Sequence, residues 1–506
     1  MSKLTVPGVL LALLFLGNET ASAQSICPLN GTSSLHLVCV LPQVYGPFGL
    51  GPGQGAPLIF NKHQSHFQGT FLTSLDPINE AVGIQVSQLP TASPSSGITF
   101  TYDPALKTFS PSGDESLGPI LGERAGTIGR SKLYVAFSFQ YFDFNSIDGQ
   151  NLNSLHTVFQ HAAFLPPFPT GSGIVSCPNT TGLTVQNGYA NSTGVAPCFV
   201  RDFVTATVNM NLTVHQYTIY ATYGITPRLD VSVAIPFLNV QTTVSADTTI
   251  TANSVPPVDP VNFPGGVFHA FNPATVPTCP QLPLTTPCLR ATFSNSGTAT
   301  GIGDVILRGK YEIYKGERVG VALGVDVRVP SGDAQNFLGS GSTGVKPFGV
   351  FSYKARVSPH AEIGYEVNGN SILAGQFVGS TATNTKGSMP NRFIYIVGAD
   401  VAVSKRLTGA FDIYGQRLFG VPQLFPSTYT DLGKCNNQNC DILSPGTTHP
   451  DLLVRQNADY NITNASLGLK FRLFRRLVLT GNVLLKIDDN GLRSKAIPLV
   501  GASYTL

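Results

Sequence analysis

The stretch Asp304-Val305-Ile306-Leu307-Arg308-Gly309-Lys310-Tyr311-Glu312-Ile313-Tyr314-Lys315-Gly316-Glu317-Arg318-Val319-Gly320-Val321-Ala322-Leu323-Gly324-Val325-Asp326-Val327-Arg328-Val329 decides how the chain reads. Val305, Leu307, Tyr311 and Ile313 alternate with Asp304, Arg308, Lys310 and Glu312. Past Lys315-Gly316-Glu317 the alternation runs back, with Val319, Val321, Leu323, Val325 and Val327 on one side and Asp326 and Arg328 on the other. Successive side chains of a strand point to opposite faces, so this is a hairpin with one apolar and one charged face.

The same layout recurs at 345–354 with 359–370, 392–404 with 407–418, and 462–474 with 477–487. Upstream, Leu133, Val135, Phe137, Phe139 and Tyr141 alternate with Ser138 and Gln140. Tyr217, Ile219, Ala221 and Tyr223 turn at Thr226-Pro227-Arg228 and run back as Leu229, Val231, Val233 and Ile235 against Asp230 and Ser232. Twelve strands follow: 131–144, 203–224, 228–246, 301–314, 318–329, 344–354, 359–370, 391–404, 407–418, 462–474, 477–487 and 496–506. Short turns at 225–227, 315–317, 355–358, 405–406 and 475–476 alternate with long connections at 145–202, 247–300, 330–343, 371–390, 419–461 and 488–495.

That order is the layout of an all-β transmembrane antiparallel β-barrel of about 12 strands, with short periplasmic turns and long extracellular loops. Each strand is near the about 9–11 residues that a tilted strand needs to cross a bilayer. In lipid the backbone must pair internally, so the sheet must close. A soluble β-sandwich also alternates, but it leaves the strict short–long order unexplained. Strands 203–224 and 228–246 change phase near His215/Gln216 and Phe237/Leu238. A bulge is expected there, where the hairpin leaves the membrane.

Composition agrees. The chain has 506 residues, 42% hydrophobic and only 12% charged, against roughly 25% charged in an ordinary soluble domain. It holds 52 Gly, 37 Pro, 31 Phe, 17 Tyr and no Trp, at a mean hydropathy of +0.13. That is too apolar for disorder. Helical membrane spans need apolar runs of about 20 residues, and only one run, near the N-terminus, approaches this. The net charge of +3 gives no argument for nucleic acid.

Lys3, the apolar run Val6–Leu16 and Ala21-Ser22-Ala23 form a signal-peptide pattern over 1–23. The eight cysteines fall as close pairs: Cys27 with Cys39, Cys177 with Cys198, Cys279 with Cys288, Cys435 with Cys440. These are disulfide candidates in an oxidising compartment; eight cysteines allow about 105 connectivities. Residues 24–130 form a Pro/Gly-rich extension with no helical period, expected to be a plug, a periplasmic segment or a partner-binding arm. Residues 131–506 form the barrel.

Gly301-Ile302-Gly303-Asp304-Val305-Ile306-Leu307-Arg308-Gly309-Lys310-Tyr311, Val329-Pro330-Ser331-Gly332-Asp333, Leu338-Gly339-Ser340-Gly341-Ser342-Thr343-Gly344-Val345-Lys346-Pro347-Phe348 and Gly364-Tyr365-Glu366-Val367-Asn368-Gly369-Asn370 resemble a bacterial outer-membrane family assigned to the MetA pathway of phenol degradation. Tyr223–Val231 fits the same pattern. The resemblance covers roughly 200–420. It implies an outer-membrane channel or transporter for small aromatic or hydrophobic compounds. The C-terminal Gly501, Tyr504 and Leu506 resemble the signal that barrel-assembly machineries recognise, with Leu506 where Phe is usual.

The polar strand faces carry the candidate lumen residues: Arg308, Lys310, Glu312, Asp326, Arg328, Glu362, Glu366, Asp400, Asp412, Lys470, Arg472 and Lys486. Six are basic and six acidic, so no strong ion selectivity follows. They line either a wet pore or a lumen filled by ion pairs. Gly339–Gly344 matches G-x-G-x-x-G, but a strand rather than a helix follows, against a dinucleotide site. No histidine spacing points to a metal, no cofactor is implied, and no nucleophile elbow suggests an enzyme. The expectation is a monomeric barrel for passive uptake of small solutes, with outer-membrane lipid and the assembly machinery as partners. A structural or adhesive surface barrel and a barrel-embedded hydrolase are the alternatives.

Overall fold

The computed structural model describes residues 26–27, 34–45, 67–68, 72–86, 100–103, 108–111, 116–161, 201–254, 266–267, 269–271, 279, 286–375, 386–436, 443–474 and 476–506. The wall has twelve antiparallel strands: β1 (Leu133–Ile147), β2 (Phe203–Thr226), β3 (Leu229–Thr251), β4 (Arg290–Ile302, continuing as Val305–Lys315), β5 (Val319–Val329), β6 (Gly344–Tyr353), β7 (Val357–Asn368), β8 (Arg392–Ala402), β9 (Leu407–Thr430), β10 (Thr448–Arg472), β11 (Leu477–Lys486) and β12 (Ala496–Thr505). Each pairs with its neighbours in sequence. β12 pairs with β1 from Leu499↔Gln140 to Thr505↔Tyr134, which closes the ring. Closure leaves no edge in this ring, the condition for a sheet in lipid. The predicted fold class is therefore the observed one. The signal-like 1–23 lies outside the described residues.

The short turns gather at one end of the ring and the long connections at the other. We refer to the turn half and the loop half. In the turn half the outward side chains are apolar, as in Phe137, Ile219, Tyr223 and Phe237, which are 46, 43, 46 and 42% exposed. The inward ones are polar, as in Ser138, Gln140, Gln216, Thr218 and Thr222, all buried.

The loop half reverses this. On β2 the inward Val204, Ala206, Val208, Met210, Leu212 and Val214 are buried, while Thr205, Thr207, Asn209, Asn211 and Thr213 face out. β3 does the same, with Val240, Val244 and Ala246 in and Asn239, Gln241 and Thr243 out. The reversal falls on one ring of paired residues: Tyr141↔His215, His215↔Asn239 and Asn239↔Thr300. Arg417↔Asn461 marks the same level on β9 and β10.

The expected bulge at His215/Gln216 and Phe237/Leu238 is absent. The β2–β3 ladder shifts only between Gly224 and Thr226, at the turn. Even-numbered side chains of β2 point inward along its whole length. The phase change in the sequence is a change of what each face meets, with the backbone register unbroken. Several connections read as loops also contain strand: β4 begins at Arg290, β9 and β10 run on to Thr430 and back from Thr448, and Leu155–His161 and Leu492–Ser494 add short strands to 145–202 and 488–495.

The loop half is filled by the N-terminal extension. A helix, α1 (Leu72–Val86), and the turn at Leu37–Cys39 pack among the inward residues of β2, β3, β9 and β10. Ile78, Val82, Ile84 and Val86 of α1 are at most 2% exposed. Each such side chain contributes about 1.5–3 kcal/mol. The helix contradicts the absence of a helical period. Over 78–86 it is buried almost all round, so no polar face records its turn there, and Pro77 and Gly83 weaken its local propensity. Phe100–Asp103 pairs with Thr108–Pro111 in a separate two-stranded hairpin.

Cys27–Cys39 and Cys279–Cys288 are disulfides, as paired from the sequence. Cys435 is also disulfide-bonded, while Cys177, Cys198 and Cys440 lie outside the described residues.

Candidate functional site

The lumen of the turn half is the candidate site. Its inward charges arise from the alternation itself, and cross-strand register sets opposite signs side by side. Arg308 stands opposite Asp326 on β5, Asp326 opposite Lys346 on β6, and Glu366 opposite Arg392. Arg308 grips Asp326 through Nε and Nη2 at 2.6 and 2.7 Å. Lys346 Nζ reaches Asp326 at 3.1 Å and Glu362 at 3.4 Å. Such pairs lock one another in place, because a buried charge without its partner is costly.

A second cluster lies at the level of the polarity reversal, around Arg328. Its guanidinium bonds Asp304 at 3.1 Å, Glu366 at 3.0 Å and the Ser342 carbonyl at 3.2 Å. It also donates to Ser340 and Asn368. Arg392 completes the cluster, on Glu366 at 2.6 Å and Gln416 at 2.9 Å. Asp304 reaches this position because β4 breaks at Gly303-Asp304, opposite Pro236. Proline has no N–H to donate, and Gly303 N instead donates to the Pro236 carbonyl at 2.7 Å. Asp304 then holds the 330–343 loop through the amides of Gly332 and Ser340, at 3.1 and 2.8 Å. The four segments 301–311, 329–333, 338–348 and 364–370 thus meet at one cluster.

Residues 116–130 cross the lumen of the turn half. Leu117 N donates to Thr408 Oγ1 at 2.8 Å, Ala125 N to Ser352 Oγ at 3.2 Å, and Ile128 N to Asp230 Oδ2 at 2.9 Å. Lys470 Nζ donates to the Pro119 carbonyl at 2.5 Å. Glu123 pairs with both Arg308 and Lys310, and Arg124 pairs with Asp400 at 2.7 Å. His360 bridges Asp412 at 2.7 Å and Asp400 at 3.4 Å, and Asp412 also accepts from Leu121 N. Small cavities of about 10 and 30 Å³ lie along this region, each room for little more than one or two waters.

The structure brings ten of the twelve sequence-chosen charges to these surroundings: Arg308, Lys310, Glu312, Asp326, Arg328, Glu362, Glu366, Asp400, Asp412 and Lys470 are buried or ion-paired on the inner face. Arg472 is inward too, half-buried at the turn end with its Nε lacking a hydrogen-bond partner. Lys486, opposite Asn464 where β11 ends, shares the inward parity of Asn482 and Leu484, and its ammonium pairs with Asp489 in the following connection. The sequence reading missed Glu123, Arg124, Asp304, Lys346 and Arg392. Lys346 and Arg392 sit on the correct strand faces and were available to it. Glu123 and Arg124 carry no periodic signal. At the closing strand, Tyr504 and Leu506 face outward, 42 and 52% exposed, at the turn end. The segment Gly339–Gly344 leads into strand β6 and not a helix. Among the described residues no group of His, Cys, Asp and Glu could hold a metal ion.

Comparison with known proteins gives low-scoring likenesses to outer-membrane barrels. The COG4313 outer membrane channel of Pseudomonas putida F1 is 9% identical, over 76% of this chain and 99% of that one, with a TM-score of 0.37. The NanC porin is 8% identical over 54% and 94%, at 0.27. A FadL homologue of Pseudomonas aeruginosa is 8% identical over 74% and 88%, at 0.25. No curated protein matches the chain. From just before β2 to the middle of β9, residues 188–418, the chain matches the family model described as Putative MetA-pathway of phenol degradation.

Proposed function

We propose that the chain is an outer-membrane channel for small, aromatic or otherwise apolar, solutes, closed at rest by its own residues 116–130. The short turns then face the periplasm and the loop half stands outside the cell. The observation that carries this reading is the segment's course across the lumen. It is held by side chains of several wall strands, among them Arg308, Lys310, Asp400, Asp412 and Lys470. A barrel built only for structure has no use for a separate chain segment locked into its interior by ion pairs. The mixed charge of the wall supports passage without strong ion selectivity.

Single-channel recording in planar bilayers tests it. The full chain is expected to be closed most of the time. Deleting 24–130, or the milder double substitution Glu123→Ala/Arg124→Ala, is expected to give frequent, long openings. Heat-modifiable migration on gels reports that the variants are folded. Folded variants of both kinds without conductance would overturn the channel.

A further inference from the structure

The bonds of Glu123 and Ala125 to the wall have the form of a ligand in a site. Three inward rows of side chains meet there, set by register: Arg308–Asp326–Lys346, Lys310–Gly324–Phe348 and Glu312–Ala322–Val350. The first two rows supply two cations to one carboxylate. Lys310 Nζ lies 2.9 Å from Glu123 Oε2, and Arg308 Nη1 binds Oε1. Arg308 is preset for this, since Asp326 already holds its Nε and Nη2 and leaves Nη1 pointing at the segment. Of the nearby carboxylates, Asp326 is shared by Arg308 and Lys346, Glu362 pairs with Lys346, Glu312 pairs with Lys315 at 3.5 Å, and Asp230 stands across the ladder from Lys310 while accepting from Ile128 N at 2.9 Å.

Beside the cations lies an apolar patch. Ala322, Phe348 and Val350 are 0, 4 and 2% exposed, and Ala125 of the segment covers them. The Phe348 ring lies under the Arg308 guanidinium, at 4.8 Å, and near Lys346, at 5.2 Å. Gly324 makes this possible. A Cβ there would stand 2.3 Å from the ring. Glu123 thus fills a carboxylate position, and Ala125 an apolar position directly next to it.

We infer that the lumen holds a binding site for a small carboxylate with an apolar or aromatic body, and that Glu123 and Ala125 occupy it at rest as an internal ligand. The inference rests on the channel reading for its purpose, and names the solute class that competes with the segment. Exchange at this site favours a negative charge. A neutral solute in place of Glu123 would take one of two carboxylates from Arg308, which keeps Asp326, and from Lys310 the carboxylate its ammonium bonds, leaving Asp230 across the ladder, whereas a solute carboxylate replaces Glu123 in kind. Its ring or alkyl body then takes the place of Ala125 over Phe348.

Equilibrium dialysis of labelled benzoate against the full chain in detergent tests the site, with benzamide as the neutral isostere and acetate as the carboxylate without a ring. Glu123→Ala, or the conservative Glu123→Gln, is expected to bind benzoate at least about tenfold more tightly than the unsubstituted chain, the effect of one charged hydrogen-bonded competitor removed. Adding Lys310→Met is expected to abolish that gain. Benzamide and acetate are each expected to bind about tenfold more weakly than benzoate. Benzoate binding that is unchanged by both substitutions at 123, or equal binding of benzamide, overturns the site. Equal binding of acetate overturns its apolar half. Conductance is not read in this assay, so a deletion variant that conducts without benzoate preference sinks only the site. Preferential benzoate binding in a chain that never conducts sinks only the channel.

Discussion

Strand β2 passes through two environments with one backbone. From Gln216 to Thr226 its inward side chains are Gln216, Thr218, Tyr220 and Thr222, and its outward ones Tyr217, Ile219 and Tyr223. From Phe203 to Val214 the inward ones are Val204, Val208, Leu212 and Val214, and the outward ones Thr207, Asn209 and Thr213. The turn half is built like a barrel in lipid, apolar outside and polar within. The loop half is built like a soluble protein, apolar within. Nothing in the hydrogen-bonded ladder marks the change. The solvent on each side of the wall determines which side chains are tolerated, and the wall itself is the same in both. The ring through Tyr141, His215, Asn239 and Thr300 is therefore read as the upper limit of the hydrocarbon.

Three substitutions on β2 would break or sharpen this contrast. Leu212→Asp places a charge in the apolar interior of the loop half, where Leu212 is 0% exposed. Its cost is expected to be the largest, about 3–5 kcal/mol, as for a buried charge without a partner. Ile219→Arg puts a charge on the outward face of the turn half, and about 2–4 kcal/mol is expected for lipid near the bilayer centre. Thr213→Lys puts the same sign of charge on the outward face above the ring, and a change within about 0.5 kcal/mol is expected. Urea titration of the folded chain in lipid vesicles, followed by circular dichroism, ranks the three. A cost for Thr213→Lys equal to that of Ile219→Arg would move the membrane limit upward and dissolve the two-part reading.

Much of this was legible in the sequence, because a strand between lipid and a polar lumen must alternate. The hairpins of β5 to β8 were readable to within a residue or two, with Arg308, Asp326, Glu366 and Asp400 on the correct face. The reversal at His215/Gln216 and Phe237/Leu238 was visible too, but a change of phase has two causes, an extra residue or an exchange of environments. Only the ladder distinguishes them. The outer parts of β4, β9 and β10 read as loops because Thr and Ser fill the outward face of β4, while Pro422, Pro426 and Pro450 and the polar run Arg455-Gln456-Asn457 interrupt β9 and β10. Glu123 and Arg124 could not have been found. Their partners at Arg308, Lys310 and Asp400 are far along the chain, and Gly118–Gly129 has no period of its own.

The threading of the extension has a mechanical consequence. Residues 37–45 and 78–86 lodge inside the ring at the loop end, residues 116–130 inside it at the turn end, and the chain then becomes the wall itself at Leu133. Anchored on both sides of Glu123, the segment resembles an axle with a stopper, able to shift but not to be drawn out. A displaced Glu123 therefore stays close to Arg308 and Lys310, at an effective concentration on the order of millimolar for a short tether. If solute competes for this site as proposed, such a latch would re-seat itself whenever the solute thins out. The channel would then open in a rich medium and reseal in a poor one without any energy source.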